Sequence, residues 1–224
     1  MAPPLCVLLP GLDGTARLFD PFVASAPVDF ELQRLPLPDD QPRGYGELAD
    51  WVRARLPTSP VALIAESFSG PLALLVADRC PNVTAVVLCA TFIEPPLPSV
   101  LARAPKFVWR TPPPISLLSA LLTGGDHELA HALRGAISSV NSEVIAERIV
   151  AALTVDARAE LARYVRPLLC LRAKRDRLVR AASTARIAEL KSSAQFAEVD
   201  SPHLLLQTKP REAWEWVKPF LEAI

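Results

Sequence analysis

One serine of the chain lies where its hydroxyl group could act as a nucleophile. Ser67 follows an apolar run at residues 61–65, which suits a buried strand, and precedes a helical pattern over residues 72–79. A serine at such a turn can meet the positive end of a helix dipole and free backbone N–H groups, which stabilise an oxyanion. Small residues flank it at Ala65 and Ser69, as the strained small-x-Ser-x-small turn of a nucleophile requires. The alternative is that Ser67 only caps the following helix.

An acidic side chain and an imidazole follow two later strand-like segments. Asp176 lies in a polar loop after the apolar residues 167–171, and His203 follows residues 195–199. The order along the chain is therefore serine, acid, histidine. This order makes the three side chains candidates for one catalytic group.

The acid has alternatives that the residues leave open. Asp176 could pair with one of the neighbouring cations, which are Lys174, Arg175 and Arg177. Two rival acids, Asp200 and Glu198, lie too close to His203 in sequence for the usual placement at a strand end.

The elements that must position these side chains alternate along most of the chain. Strands are predicted at residues 5–9, 30–37, 61–65, 83–90, 167–171 and 195–199. Helical patterns separate most of them, which implies parallel pairing and right-handed crossovers. The carboxyl ends of the strands then share one edge of the sheet, where ligands bind. We expect Ser67, Asp176 and His203 together at that edge.

The loop after the first strand, at residues 10–15, contains Gly11 and Gly14. Glycines allow backbone conformations that side chains forbid, and they leave N–H groups pointing beyond the end of the strand. Such a loop can hold a developing negative charge, although it can equally be an ordinary turn.

The alternation stops between residues 93 and 165, where only helical patterns occur. They cover residues 99–109, 115–122, 127–137 and 142–155. Because this insertion begins where a strand ends, it should lie over the functional edge as a helical cap. Its apolar side chains would line a pocket, among them Trp109, Leu118, Leu121 and Leu122, and also Phe107 and Leu117. The alternative is that they pack only among themselves.

Composition narrows the class of partner. The 224 residues suffice for one core, and 24 basic residues balance 24 acidic ones without a basic stripe, which argues against nucleic acid. No apolar run is long enough to cross a bilayer, and the amino terminus has no basic segment ahead of an apolar one. A cytoplasmic location is the expectation. The sequence does not indicate an oligomeric state.

Neither disulfides nor a metal site are expected. The four cysteines lack metal-ligand spacing, and three of them fall in apolar runs, so they are read as reduced core thiols: Cys6, Cys80, Cys89 and Cys170. His127 and His131 stand four residues apart on a helical pattern, but without a third ligand a solvated helix face is the preferred interpretation.

Taken together, these motifs resemble the α/β-hydrolase superfamily over nearly the whole chain. The matching features are the Pro-Gly-Leu-Asp-Gly loop, the Glu-Ser-Phe-Ser-Gly turn, the helical insertion, the Asp-x-x-Val loop and the Pro-His turn. The chain is most similar to the small bacterial carboxylesterases, a branch that includes pimeloyl-carrier-protein methyl ester esterases. The resemblance implies a reduced, mostly parallel sheet of about six strands with helices on both faces. Residues 1–92 and 166–224 would form the core, and residues 93–165 the cap.

The resemblance also implies roles for single residues. Ser67 would be acylated by an ester, His203 would take and return its proton, and Asp176 would orient the imidazole. The backbone N–H groups of Leu12 and Phe68 would receive the oxyanion. This mechanism implies no metal and no cofactor. The expected substrates are small carboxylic esters with short to medium acyl chains.

Two other functions remain open at this point. A thioesterase or carrier-protein methyl ester esterase would dock an acidic acyl-carrier protein, for which a small basic patch is available at Arg103, Lys106 and Arg110. A hydrolase-fold protein that binds a small apolar ligand without turning it over is the alternative of another class, against which a complete set of catalytic side chains argues.

Overall fold

Six parallel strands form a single sheet in the computed structural model, which describes residues 3–224. The strand order is β2-β1-β3-β4-β5-β6, and every neighbouring pair is parallel. The strands are β1 (Leu5–Leu9), β2 (Leu32–Arg34), β3 (Val61–Glu66), β4 (Val83–Cys89), β5 (Leu168–Ala173) and β6 (Gln195–Val199). This confirms the predicted sheet.

Helices connect the strands and cover both faces of the sheet. The α-helices of the described residues are α1 (Asp20–Ala24), α2 (Tyr45–Arg53), α3 (Ser69–Arg79), α4 (Ile115–Leu118), α5 (His127–Ser138), α6 (Ser142–Thr154), α7 (Arg158–Arg163), α8 (Ala181–Leu190), α9 (Leu205–Thr208) and α10 (Pro210–Glu222). None of the helices in residues 3–224 combines the length and the apolar character that crossing a membrane would take.

Side-chain alternation along the strands creates two buried layers. In β3, Leu63 and Ala65 belong to the layer beneath α2, α3, α7 and α8, whereas Ala62 and Ile64 belong to the layer beneath α1, α9 and α10. All six residues of β3 are buried, as a central parallel strand requires. The sheet therefore provides a rigid platform, and β3 places Ser67 near its middle.

The predicted strand over residues 30–37 is shorter than expected. Only Leu32–Arg34 pairs, and it does so with β1 alone at the edge of the sheet. An edge strand gains hydrogen bonds on one side only, and Pro36 has no N–H group to extend the pairing.

The helical segment predicted over residues 99–109 is also wrong in detail. It consists of two short 3₁₀ turns, Ser99–Arg103 and Lys106–Trp109, which are separated where Ala104 adopts an extended conformation. Pro105 disfavours the helical conformation of the residue before it, which explains the break. Further on, α4 covers only the first half of the predicted segment 115–122 and continues as a π-helical turn, Ser119–Thr123.

Residues 93–165, here called the inserted segment, contain only helices and turns between β4 and β5. They build a small apolar cluster of their own from α4, α5 and α6, with Leu118, Leu133, Ile137 and Ile145 among its members. Leu204 of the sheet edge joins this cluster. The inserted segment is thereby packed against the chain next to His203.

The four cysteines are free thiols and all are buried, as the sequence analysis expected. Burial raises the pKa of the Cys6 and Cys170 thiols to about 12, so both remain protonated at neutral pH.

Candidate active site

Ser67 occupies the sharp turn between β3 and α3. Its φ of 51° is in the left-handed region, which a residue with a side chain adopts only when its surroundings impose it. Its N–H donates to the carbonyl of Cys89 at 2.9 Å, and its own carbonyl accepts from the N–H of Gly70 at 3.1 Å. No side-chain cap is present at the start of α3, so the serine hydroxyl is not used as a helix cap.

The hydroxyl of Ser67 instead meets the imidazole of His203. Ser67 Oγ lies 2.8 Å from His203 Nε2, and His203 Nδ1 lies 2.6 Å from Asp176 Oδ2. The side chains of His203 and Asp176 are each only 3% exposed. The structure thus brings together the three side chains whose sequence positions span more than half the chain.

Asp176 is held on its other oxygen by the backbone. Oδ1 accepts hydrogen bonds of 2.8 Å from the N–H groups of Leu178 and Val179. Because these bonds restrict its rotation, the Asp176 carboxylate can hold a proton on His203 Nδ1, which is the tautomer in which Nε2 can accept from the Ser67 hydroxyl.

The alternative partners of the acid are engaged elsewhere. Arg175 pairs with Asp200 at 2.8 Å, and Glu198 pairs with Arg172. Arg177 donates to the carbonyl of Ala120 at 3.2 Å. The rival acids therefore serve ion pairs on the rim of the sheet, and Asp176 is the acid that contacts the imidazole.

The loop after β1 passes directly beside Ser67. A Cβ atom added to Gly11 would lie 3.9 Å from Cβ of Ser67, which is ordinary contact distance. The Gly11 carbonyl accepts from the N–H of Gly14 at 3.0 Å, closing a turn around Leu12 and Asp13. Since C=O and N–H point in opposite directions across a trans peptide, the N–H of Leu12 points out of this turn.

The N–H of Phe68 lies one residue after the serine, at the start of α3, where backbone N–H groups lack helical partners. Tyr45 contacts Phe68 through both its hydroxyl group and its ring. Its hydroxyl donates to the Phe68 carbonyl at 2.8 Å, and the two rings stack with centroids 4.7 Å apart. Leu12, in the loop beside Ser67, and Phe68, directly after it, carry the two N–H groups that the sequence analysis selected.

Two hydroxyl groups that sequence reasoning missed join the serine turn to its neighbours. Ser69 donates to the carbonyl of Pro10, and Thr91 donates to the carbonyl of Ser67. Thr91 packs so closely on α3 that a Cβ at Gly70 would lie 2.0 Å from its Oγ1. The only signal available in the sequence was the small size of Ser69 and Gly70, which does not reveal a partner.

An apolar cavity of about 360 Å³ opens onto Ser67 and His203. It lies between the sheet edge and the inserted segment, and Trp109, Leu118, Leu121 and Leu122 all line it, as does Leu117. Phe107 does not line it and is 67% exposed. No lysine or arginine of residues 3–224 contributes to its wall.

Glu66, immediately before the serine, is a buried acid in this wall. Gln207 Nε2 donates to its Oε2 at 3.0 Å, while Glu66 Oε1 and Gln207 Oε1 have no partner among the described residues. Burial raises the pKa of Glu66 to about 7. The shift means that Glu66 holds its proton to a higher pH than an exposed glutamate does.

Metal ligands are not assembled here. Within residues 3–224 no group of three or more His, Cys, Asp or Glu side chains is placed to hold a metal ion. His127 and His131 are both exposed on α5.

No protein-family model matches the chain, and no curated protein matches it in sequence. Solved structures match it closely in shape. A hydrolase from Pseudomonas aeruginosa PA01 superposes with a TM-score of 0.84 at 19% identity, over 98% of this chain and 90% of that one. The enol-lactonase from Burkholderia xenovorans LB400 gives 0.80 at 19% identity, over 98% and 92%.

An esterase from Rhodococcus sp. ECU1013 gives a TM-score of 0.75 at 21% identity, over 99% of this chain and 91% of that one. These neighbours are α/β-hydrolases, and they match almost the full length of the sheet and its helices. The chain therefore has the α/β-hydrolase fold.

Proposed function

We propose that this protein is a serine hydrolase that cleaves small carboxylic esters of short to medium acyl chain. The observation that carries the proposal is the buried hydrogen-bond chain from Ser67 through His203 to Asp176 at one end of an apolar cavity. A nucleophile, a base and an orienting acid within hydrogen-bond reach are what acyl transfer requires.

Each step of the reaction has a group to perform it. Ser67 Oγ attacks the ester carbonyl carbon while His203 Nε2 takes the hydroxyl proton. The carbonyl oxygen becomes an oxyanion that accepts from the N–H groups of Leu12 and Phe68. Collapse of this intermediate breaks the bond to the alcohol oxygen, which receives the proton from His203 and leaves. Water then repeats the sequence on the acyl-enzyme, releasing the acid and restoring the serine.

The cavity supports a neutral, apolar substrate. Its volume of about 360 Å³ is near the lower end of the range for ligand pockets, which favours short to medium chains. An anionic group in the acyl chain would meet no cation there, and Glu66 and Asp13 both contribute to the wall. An esterase and an enol-lactonase among the structural neighbours fit a substrate with an acyl–oxygen bond.

We further propose that residues 93–165 act as a cap on a core formed by residues 1–92 and 166–224. The inserted segment supplies much of the cavity wall above Ser67, including Leu118 and Ile145, which supports this division. The first two residues of the proposed core lie outside the described part of the chain.

A carrier-protein substrate is less well supported. Of the proposed basic patch, Lys106 pairs with Glu147 at 2.5 Å and Arg110 with Glu143 at 2.6 Å. These pairs offset the positive charge that an acidic carrier protein would need. A thioester of a small molecule uses the same chemistry and belongs in the same assay. A binding-only role would not need Ser67 and His203 in hydrogen-bond contact.

The decisive experiment is hydrolysis of p-nitrophenyl esters from acetate to palmitate, with acyl thioesters alongside, by the wild type, Ser67→Ala and Ser192→Ala. Ser192 is an exposed serine before β6 and serves as the matched control. We expect Ser67→Ala to lose at least about a thousandfold in kcat and Ser192→Ala to match the wild type. Equal activity of the wild type and Ser67→Ala would remove the serine from the mechanism, and an inert wild type would contradict the proposal.

A further inference from the structure

Arg148 is the largest side chain that is almost fully buried, and the mechanism above does not use it. It lies on α6 in the inserted segment and is 1% exposed. Its guanidinium group contacts three backbone carbonyls of the core. Nη1 donates to Leu12 at 3.1 Å and to Asp13 at 2.7 Å, and Nη2 donates to Pro38 at 3.0 Å.

Burying a guanidinium group without a salt bridge costs free energy. The desolvation lowers the pKa of Arg148 to about 10, against the attraction of the Asp13 and Asp39 carboxylates. Its Nε has no partner among the described residues. An apolar side chain could fill the same space at a lower solvation cost, so the contacts to the carbonyls are the evident compensation for keeping a cation here.

Two of those carbonyls, of Leu12 and Asp13, belong to the turn that carries the N–H of Leu12. The turn is closed on one side by the bond from Gly14 to the Gly11 carbonyl, and Arg148 holds the next two carbonyls on the other side. Fixing the peptide planes before and after Asp13 leaves Leu12 little freedom to rotate. The direction of the Leu12 N–H, which faces away from the turn, is therefore set in part from the inserted segment.

Gly14 leaves the space that the guanidinium group of Arg148 occupies. Its φ of 71° is left-handed, and a Cβ at this position would lie 2.2 Å from Nη1 of Arg148. The guanidinium group thus occupies the space of the missing side chain. Because the backbone at Gly14 and the side chain of Arg148 pack closely, a substitution at either residue should disturb the contact.

We propose that Arg148 is a positioning residue for the oxyanion, holding the loop of Leu12 so that its N–H faces the reacting carbonyl. The inference rests on the proposed function. It also makes the inserted segment part of the catalytic arrangement, since α6 carries the group that orders a loop of the core.

The test distinguishes a loss of oxyanion binding from a general loss of structure by comparing two ligands of the cavity. Hexyl trifluoromethyl ketone adds to Ser67 as a carbonyl analogue: Oγ bonds to the carbonyl carbon, the proton passes to His203, and the oxygen becomes an oxyanion. The corresponding secondary alcohol fills the cavity without forming one. The variants are Arg148→Met, Arg148→Lys and Gly14→Ala, with Arg134→Lys at an exposed arginine of α5 as the control. Thermal melts identify the variants that fold.

We expect Arg148→Met and Gly14→Ala to lower kcat and the affinity for the ketone by about a hundredfold, as misplacement of about 1 Å can do. KM and affinity for the alcohol should change by less than about threefold, because neither Arg148 nor Gly14 lines the cavity. Arg148→Lys should recover part of the loss, since an ammonium group can still donate to one or two carbonyls. Arg134→Lys should match the wild type.

Three results would overturn the inference. Folded Arg148→Met or Gly14→Ala with wild-type kcat and ketone affinity would show that the loop needs no such support. If a variant loses affinity for the ketone and for the alcohol by the same factor, the role of Arg148 is purely structural. If Arg148→Met does not fold, Arg148→Lys and Gly14→Ala decide by the same criteria. A wild type that neither cleaves esters nor binds the ketone would contradict the proposed function itself, and the inference would fall with it.

Discussion

Replacing Glu66 by glutamine should change how stability depends on pH. Burial raises the pKa of this carboxyl from its ordinary value of 4.5 to about 7 in the folded chain. Below pH 4.5 both folded and unfolded chains carry the proton. Between 4.5 and about 7 only the folded chain keeps it, so the folded state loses stability as the pH rises. Above that range the full loss persists.

The size of the effect follows from the shift. At 1.36 kcal/mol per pH unit, a rise from 4.5 to about 7 corresponds to about 3 kcal/mol of unfolding free energy. Glutamine cannot ionise, and its amide oxygen can still accept from Gln207 Nε2. Glu66→Gln should therefore resemble the wild type near pH 4.5 and exceed it in stability by about 3 kcal/mol near pH 8.

The assay is urea unfolding followed by circular dichroism at several pH values. Glu215→Gln, at an exposed glutamate of α10, is the matched control and should follow the wild type throughout. The quantity to plot is the difference in unfolding free energy between each variant and the wild type, since shared titrations cancel in it. A difference for Glu66→Gln that stays constant from about pH 4.5 to about pH 8 would refute the reasoning.

Three further changes should have separate readouts. Ser69→Gly keeps a small residue in the serine turn but removes the hydroxyl hydrogen bond to the Pro10 carbonyl, and it should lower kcat about tenfold in the p-nitrophenyl assay because the loop beside Ser67 loosens. Gly70→Ala should lower the unfolding free energy by about 1 to 3 kcal/mol in urea, since its Cβ would collide with Thr91; an unchanged midpoint would contradict this contact. Leu122→Trp should shorten the preferred acyl chain in the ester series by filling the cavity, and an unchanged chain-length profile would place the substrate elsewhere.

The architecture was largely predictable because it depends on periodic patterns. Apolar runs such as residues 61–65 and 83–90 are short enough to favour strands buried on both faces, and the helices between them favour parallel pairing. Parallel pairing alone brings the ends of β3, β5 and β6 to one edge. The proximity of Ser67, Asp176 and His203 could therefore be predicted from the fact that each of them follows a strand.

Local details were less predictable wherever one residue overrides a pattern. Residues 99–109 have helical spacing, yet Pro105 divides them into two 3₁₀ turns. The strand at residues 30–37 has a suitable composition, but a place at the sheet edge leaves only Leu32–Arg34 paired. A periodic pattern averages hydrophobicity over many residues. These two outcomes depend instead on a single proline and on the lack of a neighbouring strand on one side.

Short-range periodicity was enough to predict the sheet, the edge where its strands end, and the serine, acid and histidine that lie there. The side chains that hold this edge in place became known only from the packing of distant segments. Arg148 reaches Leu12 across 136 positions of sequence, and Ser69 reaches Pro10 across 59. Such contacts depend on where distant segments pack, so the local sequence around one partner does not predict the other.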